Sequence, residues 1–427
     1  MKQVYIKTFG CQMNAHDSER VLGLLREEGY SPVYDPESAD LIVFNTCSIR
    51  QKAEQKFYSM LGRTKHIKKI NPSVKIAVMG CIAQQEGREM KRRAPFVDHI
   101  IGPQNISRVG EALSHGNSIY TNENPNLQVT DLPANREHSI KALVNIMYGC
   151  NNFCSYCVVP YTRGRERSRP SANIIEEIKA LAMNGYKEVK LLGQNVNSFN
   201  SDVTFPELLC RINDIEGIER IRFITSHPKD LDEELVKALK DLDKVCEHIH
   251  LPLQSGSTGL LSLMNRKYSY EDYLQRVAVL QSAIPGIAIT TDIIAGFPGE
   301  TDEDHRATVS ALNEIEFDGI FAFKYSPRPM TEASKMEGHI DEEVKSARLA
   351  EVLETQDEIT LKKNRLLEGK NLDVLIEERD TDIMYSGRTR SNKIVTIQSD
   401  NHIKLGSLIN VFIEKAQRHS LTGTLTK

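Results

Sequence analysis

MYGCNNFCSYCVVPYTRGR, residues 147–165, carries Cys150, Cys154 and Cys157 in the pattern C-x3-C-x2-C, directly after an apolar run that reads as a strand. Three closely spaced thiolates suit a soft metal centre. Zinc would ask for a fourth protein ligand, and no further Cys or His stands at a compatible local spacing. A ferredoxin-type cluster would use four cysteines. Three cysteines on a cubane of four irons leave one iron open, and an open position marks reactive rather than purely structural metal sites.

The surroundings of this stretch set the fold. From residue 141 onward, strand patterns at 143–148, 188–192, 220–225, 248–253, 287–294 and 320–324 alternate with helical patterns at 172–184, 206–215, 232–242, 270–284 and 303–315. Pro206 falls in the first turn of its helix, where a missing N–H costs little. Six strands with intervening helices predict an incomplete (β/α)6 barrel, whose site belongs at the carboxyl ends of its strands. Polar residues stand there: Gln194 in LLGQN, Ser226 and His227 in FITSHP, Gln254 in HLPLQSG, Asp292 in TTDIIAGFPGE and Tyr325 in FKYSPRP. No triad or paired carboxylate is evident, so no catalytic residue is expected beyond metal ligands.

Toward the N-terminus, three apolar runs each stop at a cysteine. YIKTFGCQMN holds Cys11, LIVFNTC ends at Cys47 and KIAVMGC ends at Cys81. Helical stretches at 17–28 and 51–69 lie among the strands, which predicts a parallel sheet with crossovers. Function in such sheets gathers beyond the carboxyl ends of the strands. Cys11, Cys47 and Cys81 are therefore expected to converge as a second three-thiolate set. Cys210 and Cys246 have no partner at ligand spacing and are expected to be buried, inert thiols.

A chain of 427 residues holds several domains and buries a core without disulfide staples. The boundaries expected are residues 1–116, a linker rich in Asn and Pro over 117–138, a core over 139–366 ending in a long polar helix, and a small β barrel over 367–427. No apolar run is long enough to span a bilayer, and the start lacks a signal peptide's apolar stretch, so a cytoplasmic protein is expected. In that compartment eight cysteines read as ligands or buried thiols rather than disulfides. The net charge is −4, yet residues 49–93 hold 12 Lys and Arg against 3 Glu, and 161–169 hold four Arg against one Glu. Basic segments in an acidic chain point to a polyanion such as RNA. The tail from Leu367 has 9 Lys and Arg against 8 Asp and Glu, so composition assigns it no such role.

The C-x3-C-x2-C loop on a six-strand barrel resembles the radical S-adenosylmethionine (SAM) superfamily. TFGCQMN, NTCSIRQKA, GCIAQQEG, LLGQNVNS, TSHP, LPLQSGS, GFPGET and SGRTRSNKIV, in this order, resemble the methylthiotransferases over essentially the whole chain. CQMN, NTCSIR and GRTR resemble the branch that acts on N6-isopentenyl (dimethylallyl) adenosine beside the tRNA anticodon. The resemblance implies two [4Fe-4S] clusters, a SAM-cleaving one on Cys150, Cys154 and Cys157 and an auxiliary one on Cys11, Cys47 and Cys81. One SAM would supply a methyl group and a second the 5′-deoxyadenosyl radical that abstracts the C2 hydrogen of adenine. Gln194, Ser226, Gln254 and Asp292 would bind SAM, with residues 286–299 along its adenosine. The last domain would be an RNA-binding TRAM domain, with Arg388 and Arg390 joining Arg163, Arg165, Arg167 and Arg169 on phosphates. Implied partners are tRNA, an electron donor such as a flavodoxin or ferredoxin, and the iron–sulfur assembly machinery; nothing calls for an oligomer, so a monomer is expected. Sister methylthiotransferases acting on threonylcarbamoyl-adenosine or a ribosomal-protein aspartate would share all six cysteines. A non-enzymatic iron–sulfur carrier and an RNA-binding module with structural zinc are the readings from other classes.

Overall fold

A computed structural model describes residues 2–48, 51–123, 132–136 and 140–426. In chain order the first part runs β1 (Lys2–Thr8), α1 (Gln12–Glu27), β2 (Tyr30–Pro32), β3 (Leu41–Thr46), α2 (Gln51–Ile70), β4 (Lys75–Gly80), α3 (Cys81–Arg93), β5 (His99–Ile101), α4 (Val109–Ser114) and β6 (Ser118–Tyr120). Next come β7 (Lys141–Asn145), β8 (Met147–Tyr148), α5 (Val159–Thr162), β9 (Arg167–Ser168), α6 (Ser171–Met183), β10 (Glu188–Leu192), α7 (Phe205–Asn213), β11 (Arg220–Phe223), α8 (Glu233–Asp241) and β12 (His248–His250). The remainder is α9 (Thr258–Leu263), α10 (Tyr270–Ala283), β13 (Ala288–Ala295), α11 (Asp302–Ile315), β14 (Gly319–Lys324), α12 (Glu342–Arg365) and β15–β19 (Asn371–Arg379, Met384–Thr389, Ile394–Gln398, Leu408–Ala416, Leu421–Leu425). The chain forms two compact units: Met1–Glu137 with Met147–Arg169 and Ser326–Ser334, and His138–Ile146 with Pro170–Tyr325 and Lys335–Lys427.

The first unit is built on a sheet of order β2-β1-β3-β4-β5-β6 with every neighbouring pair parallel. Its central strands β3 and β4 are buried on both faces, as parallel strands in the middle of a sheet are. Ile42, Phe44, Ile76, Val78 and Ile100 pack on one face with Phe57 and Leu61, while Leu41, Val43, Ala77, Met79 and Ile101 pack on the other with Val21 and Leu25. The expected linker begins with β6, which pairs with β5. Further on, the Asn135 N–H donates to the Glu19 carbonyl of α1. Residues 124–131, 137 and 138 of that segment, and Ile49 and Arg50 of NTCSIR, lie outside the described residues. Residues 147–169, expected within the barrel domain, belong to the first unit.

The second unit holds the expected partial barrel. Parallel strands run β7-β10-β11 and β12-β13-β14, and the Ile221–Val245 bridge joins the two halves. Capping boxes at Thr204/Glu207, Ser269/Asp272 and Thr301/Asp304 start α7, α10 and α11, and Pro206 sits in the first turn of α7. Cys246 is buried, but Cys210 is exposed, contrary to expectation. The reason is its position on α7, whose buried stripe is Phe205, Leu208, Leu209 and Ile212.

The C-terminal strands close into a barrel of order β15-β16-β17-β19-β18 around Val374, Ile376, Tyr385, Val395, Ile397, Val411 and Ile413. Its β16–β17 hairpin packs on the amino-terminal ends of β11 and β12. Arg220 donates to the Arg388 carbonyl (2.6 Å) and pairs with Asp373 (2.9 Å). Arg222 donates to the Arg390 and Thr389 carbonyls (2.8 and 2.7 Å) and pairs with Glu188 (2.9 Å), both side chains being buried. Removing one partner of a buried pair strands the other charge. Arg222→Met is therefore expected to destabilise this unit by about 3–5 kcal/mol, measured by urea unfolding.

Candidate functional site

Cys11 follows β1 as the N-cap of α1, Cys47 follows β3, and Cys81 opens α3 directly after β4. β1, β3 and β4 are neighbours, and the register pairs Thr8 with Asn45 and Thr46 with Gly80. The three thiols thus stand side by side at one carboxyl edge, on strands about 4.8 Å apart. Cys47 and Cys81 are buried and Cys11 half-buried. The turn before Cys11 passes so close to Cys47 that a Cβ on Gly10 (φ +108°) would lie 2.6 Å from the Cys47 Sγ.

A buried polar network fixes this edge. Asn14 Nδ2 donates to the Phe9 and Thr46 carbonyls, 2.9 Å each, tying the β1–α1 turn to the exit of β3. Asn45 Nδ2 donates to the Asn14 carbonyl (2.8 Å) and the Ser18 hydroxyl (2.9 Å). Arg163, just past α5, donates from Nη2 to Asn14 Oδ1 (2.9 Å) and Asp17 Oδ2 (2.8 Å). Burial pushes the Asp17 carboxyl up, but the Arg163 guanidinium prevails and holds it below the ordinary range. The Cys11 thiol falls to about 6: its hydrogen bond with Cys47 lowers it, burial opposes, and Arg163 lowers it further. Burial pushes the Cys81 thiol up against the pull of Arg163.

The second cysteine set sits on a loop closed at its base by the antiparallel β8–β9 pair and by the Cys150 N–H donating to the Gly164 carbonyl (3.2 Å). Cys150 and Cys154 are buried and Cys157 half-buried. Phe153 takes a left-handed φ of +48°, its ring meets Tyr161 edge-on, and the Arg165 guanidinium lies 4.2 Å above it. Among the described residues no three His, Cys, Asp or Glu side chains converge to hold a single ion. A cubane asks for something else, one thiolate at each of three irons. The donor sets fit that demand: two groups of three thiols, one of them beside a buried cation.

At the barrel's strand ends, Ser226 is 4% and Gln254 6% exposed, Gln194 is half-buried, and Asp292 lies within β13. The Ser226 hydroxyl is buried without a hydrogen-bond partner among the described residues, a vacancy in bonding that suits a polar ligand. Gln254 adopts φ +77° and donates its N–H to the Asp292 carbonyl (2.8 Å), while His250 Nε2 lies 3.4 Å from Asp292 Oδ1. Sequence reasoning missed one anchor here, Glu300, and named His227 without its partners. Glu300 of GFPGET accepts the Gly296 N–H on both carboxylate oxygens (3.0 Å each) and pairs with Arg348 of α12 (2.8 Å). His227 accepts from the Lys229 N–H and stacks edge-on against Tyr268. Burial, then the positive charges of Arg266, Lys229 and Arg276, push its imidazole down to about 2. An unfolded imidazole titrates near 6.5. The folded value is depressed, so this stabilising contribution is complete above pH 6.5 and is lost as the pH falls toward 2. The second unit is expected to lose about 1.4 kcal/mol per pH unit below 6.5 from this group, read from urea midpoints at pH 7.5 and 5.5.

The expected phosphate contacts need correction. Arg163 is 4% exposed and committed to Asp17 and Asn14. Arg169 is 2% exposed, and Arg167 reaches Gln104 (3.3 Å). Arg390 makes a two-pronged pair with Glu247 (2.7 Å each) and donates to the Val245 carbonyl. Arg388 donates to the Asn392 carbonyl of its own hairpin (3.1 Å). Arg163 is thus taken up by the fold, because a charge leaving water must find a partner, whereas Arg167, Arg388 and Arg390 stay partly exposed. Arg165 is exposed, and so are Lys52, Lys56, Arg63, Lys65 and Lys69 along α2.

Three family models match in order: Uncharacterized protein family UPF0004 over residues 3–102, the Radical SAM superfamily over 144–312 and the TRAM domain over 365–426. Among solved structures, the radical SAM methyltransferase TsrM from Kitasatospora setae with tryptophan and aza-SAM bound superposes with TM-score 0.58 at 16% identity, covering 78% of this chain and 75% of that one. The cobalamin-dependent SAM radical enzyme OxsB superposes with TM-score 0.54 at 12% identity, covering 84% of this chain and 56% of that one. These likenesses show the fold. Among the described residues no helix is long and apolar enough to cross a membrane. Curated relatives named tRNA-2-methylthio-N(6)-dimethylallyladenosine synthase are 57% identical in Thermodesulfovibrio yellowstonii (99% of each chain) and 48% identical in Clostridium botulinum (99% of this chain, 96% of that one). With end-to-end identity at that level and the three domains in register, the chain belongs to the tRNA-2-methylthio-N(6)-dimethylallyladenosine synthase family of radical SAM proteins.

Proposed function

We propose that this chain is a radical SAM methylthiotransferase that adds a methylthio group to C2 of N6-isopentenyl adenosine beside the anticodon of tRNA. The observation that carries the reading is the pair of three-thiol sets, one at adjacent strand ends and one on the C-x3-C-x2-C loop, in a chain 57% identical to a relative of that name. Cys150, Cys154 and Cys157 would hold the SAM-binding [4Fe-4S] cluster, and Cys11, Cys47 and Cys81 an auxiliary [4Fe-4S] cluster. Bound clusters and SAM supply the one-electron and methyl-transfer chemistry that an unactivated aromatic C–H bond demands. The chain's own groups bind and orient. The orphaned Ser226 hydroxyl, with Gln194, Gln254 and Asp292, would hold SAM at the barrel's strand ends. Burial of Cys47, Cys81, Cys150 and Cys154 would keep water and oxygen from a bound cluster.

On this reading residues 1–116 carry the auxiliary site, 139–366 the radical SAM core and 367–427 the RNA-binding domain. The exposed cations of α2 with Arg165 supply phosphate contacts. A base stacked in a loop must splay out to reach a buried site. A low-potential donor such as a flavodoxin or ferredoxin, and the iron–sulfur assembly machinery, are the further partners, in the cytoplasm. The test is mass spectrometry of tRNA nucleosides after anaerobic reaction of the reconstituted protein with SAM, reductant and tRNA with or without the isopentenyl group. A methylthio gain confined to isopentenyl-adenosine is expected. SAM cleaved without that gain would overturn the substrate assignment and move it to threonylcarbamoyl-adenosine or a ribosomal-protein aspartate.

A further inference from the structure

Arg163 brings a charged side chain to the Cys11–Cys47–Cys81 edge from the other cysteine loop, through Asn14 and Asp17. It lies six residues beyond Cys157, and the next residue, Gly164, accepts the Cys150 N–H. Its side chain is 4% exposed against 2% for Asp17. Nη2 is satisfied by Asn14 and Asp17, but Nη1 is buried with no well-directed acceptor among the described residues. Asn14 Oδ1, which accepts from Arg163 Nη2 (2.9 Å), also accepts from the Cys11 thiol (3.7 Å), so the guanidinium stands at the cysteine edge. A buried N–H left unmet is costly, so it marks a place where an acceptor belongs. The acceptor class on this edge is sulfur, either thiolate or the sulfide of a cluster.

We propose that Arg163 is a positioning residue that directs its Nη1–H onto the sulfur of the cluster held by Cys11, Cys47 and Cys81, raising that cluster's reduction potential and fastening the other cysteine loop to it. The proposal rests on the reading that these three cysteines hold a four-iron cluster. Hydrogen bonds to cluster sulfurs and nearby net charge are what set such potentials. A fixed cation favours the reduced, more negative state. Asp17 works in the opposite sense, so the two partners predict shifts of opposite sign. A role confined to packing predicts no such pattern.

The experiment uses the full chain with Cys150, Cys154 and Cys157 replaced by alanine, so that any cluster present is the one on the first edge. Iron content and an electron-paramagnetic-resonance redox titration are measured on this parent and on three variants of it. Arg163→Met is expected to keep iron while the reduced-to-oxidised ratio at the parent's midpoint falls at least tenfold, which is 59 mV for one electron. Asp17→Asn is expected to raise the ratio, and Arg163→Lys, which keeps the charge, to stay within about threefold of the parent. If Arg163→Met fails to load iron, the Asp17→Asn and Arg163→Lys pair decides by the same signs. Loaded variants whose ratios all stay within twofold of the parent would overturn the role of Arg163 while leaving the cluster assignment standing. A parent that holds no iron would overturn the cluster assignment, and the inference with it.

Discussion

Cys47→Ala is expected to abolish methylthio transfer while SAM is still cleaved to 5′-deoxyadenosine. Cys47 is 1% exposed and stands between the ends of β1 and β4, in register with Cys81 and beside Cys11. Alanine there removes one of three thiolates, and among the described residues Cys210 and Cys246 lie in the second unit rather than at this edge. Loss of groups one shell out from a metal typically costs 10–100-fold, so loss of a ligand itself is expected to lower product formation by more than about 100-fold. The loop with Cys150, Cys154 and Cys157 keeps its own closures, the β8–β9 pair and the Cys150–Gly164 bond. Iron should fall by about half and SAM cleavage should persist. Cys150→Ala is expected to do the reverse to SAM, removing its cleavage and with it every product. Iron assay, chromatography of 5′-deoxyadenosine and mass spectrometry of tRNA nucleosides read all three quantities. Full methylthiolation by the Cys47 variant would show that the first edge is no part of the chemistry.

What could be read from the amino-acid order follows from where period and spacing are strong. The runs ending at Cys47 and Cys81 are buried on both faces and the one before Cys11 is apolar at Val4, Ile6 and Phe9, so their ends were visible, and parallel pairing of neighbours brings the ends together. β2, β5 and β6 have three residues each, too few for any period to show. β6 was further hidden by the Asn and Pro that follow it, which read as linker. The arginines were harder. YTRGRERSR shows four cations and no destinations, because Asp17, which claims Arg163, is 146 residues away in sequence. GRTR was legible as a hairpin, but the carboxylate that claims Arg390, Glu247, lies 143 residues upstream. Composition reports charge; only the fold reports whether that charge is already paired.

Gly10→Ala is expected to empty the first cysteine edge of iron without touching the second. Two costs fall on this position. Gly10 sits at φ +108°, where a side chain is strained whatever the space, at about 1–3 kcal/mol. Its Cβ would also lie 2.2 Å from the Cys47 Cβ and 2.6 Å from the Cys47 Sγ. Neither atom can yield cheaply, because the Cys47 backbone is fixed by β3 and by the Asn14 bond to the Thr46 carbonyl. The added methyl therefore takes the space of a ligand. Gly29→Ala is the control: its φ of +82° carries similar strain, but nothing lies within 4 Å of the added carbon. Gly29→Ala is expected to lose about 1–2 kcal/mol of stability and to keep its iron and product. Gly10→Ala is expected to keep SAM cleavage, lose about half its iron and form product at the level of Cys47→Ala. Equal iron in the two glycine variants would mean that the turn before Cys11 moves aside, and that the edge is looser than its hydrogen bonds imply.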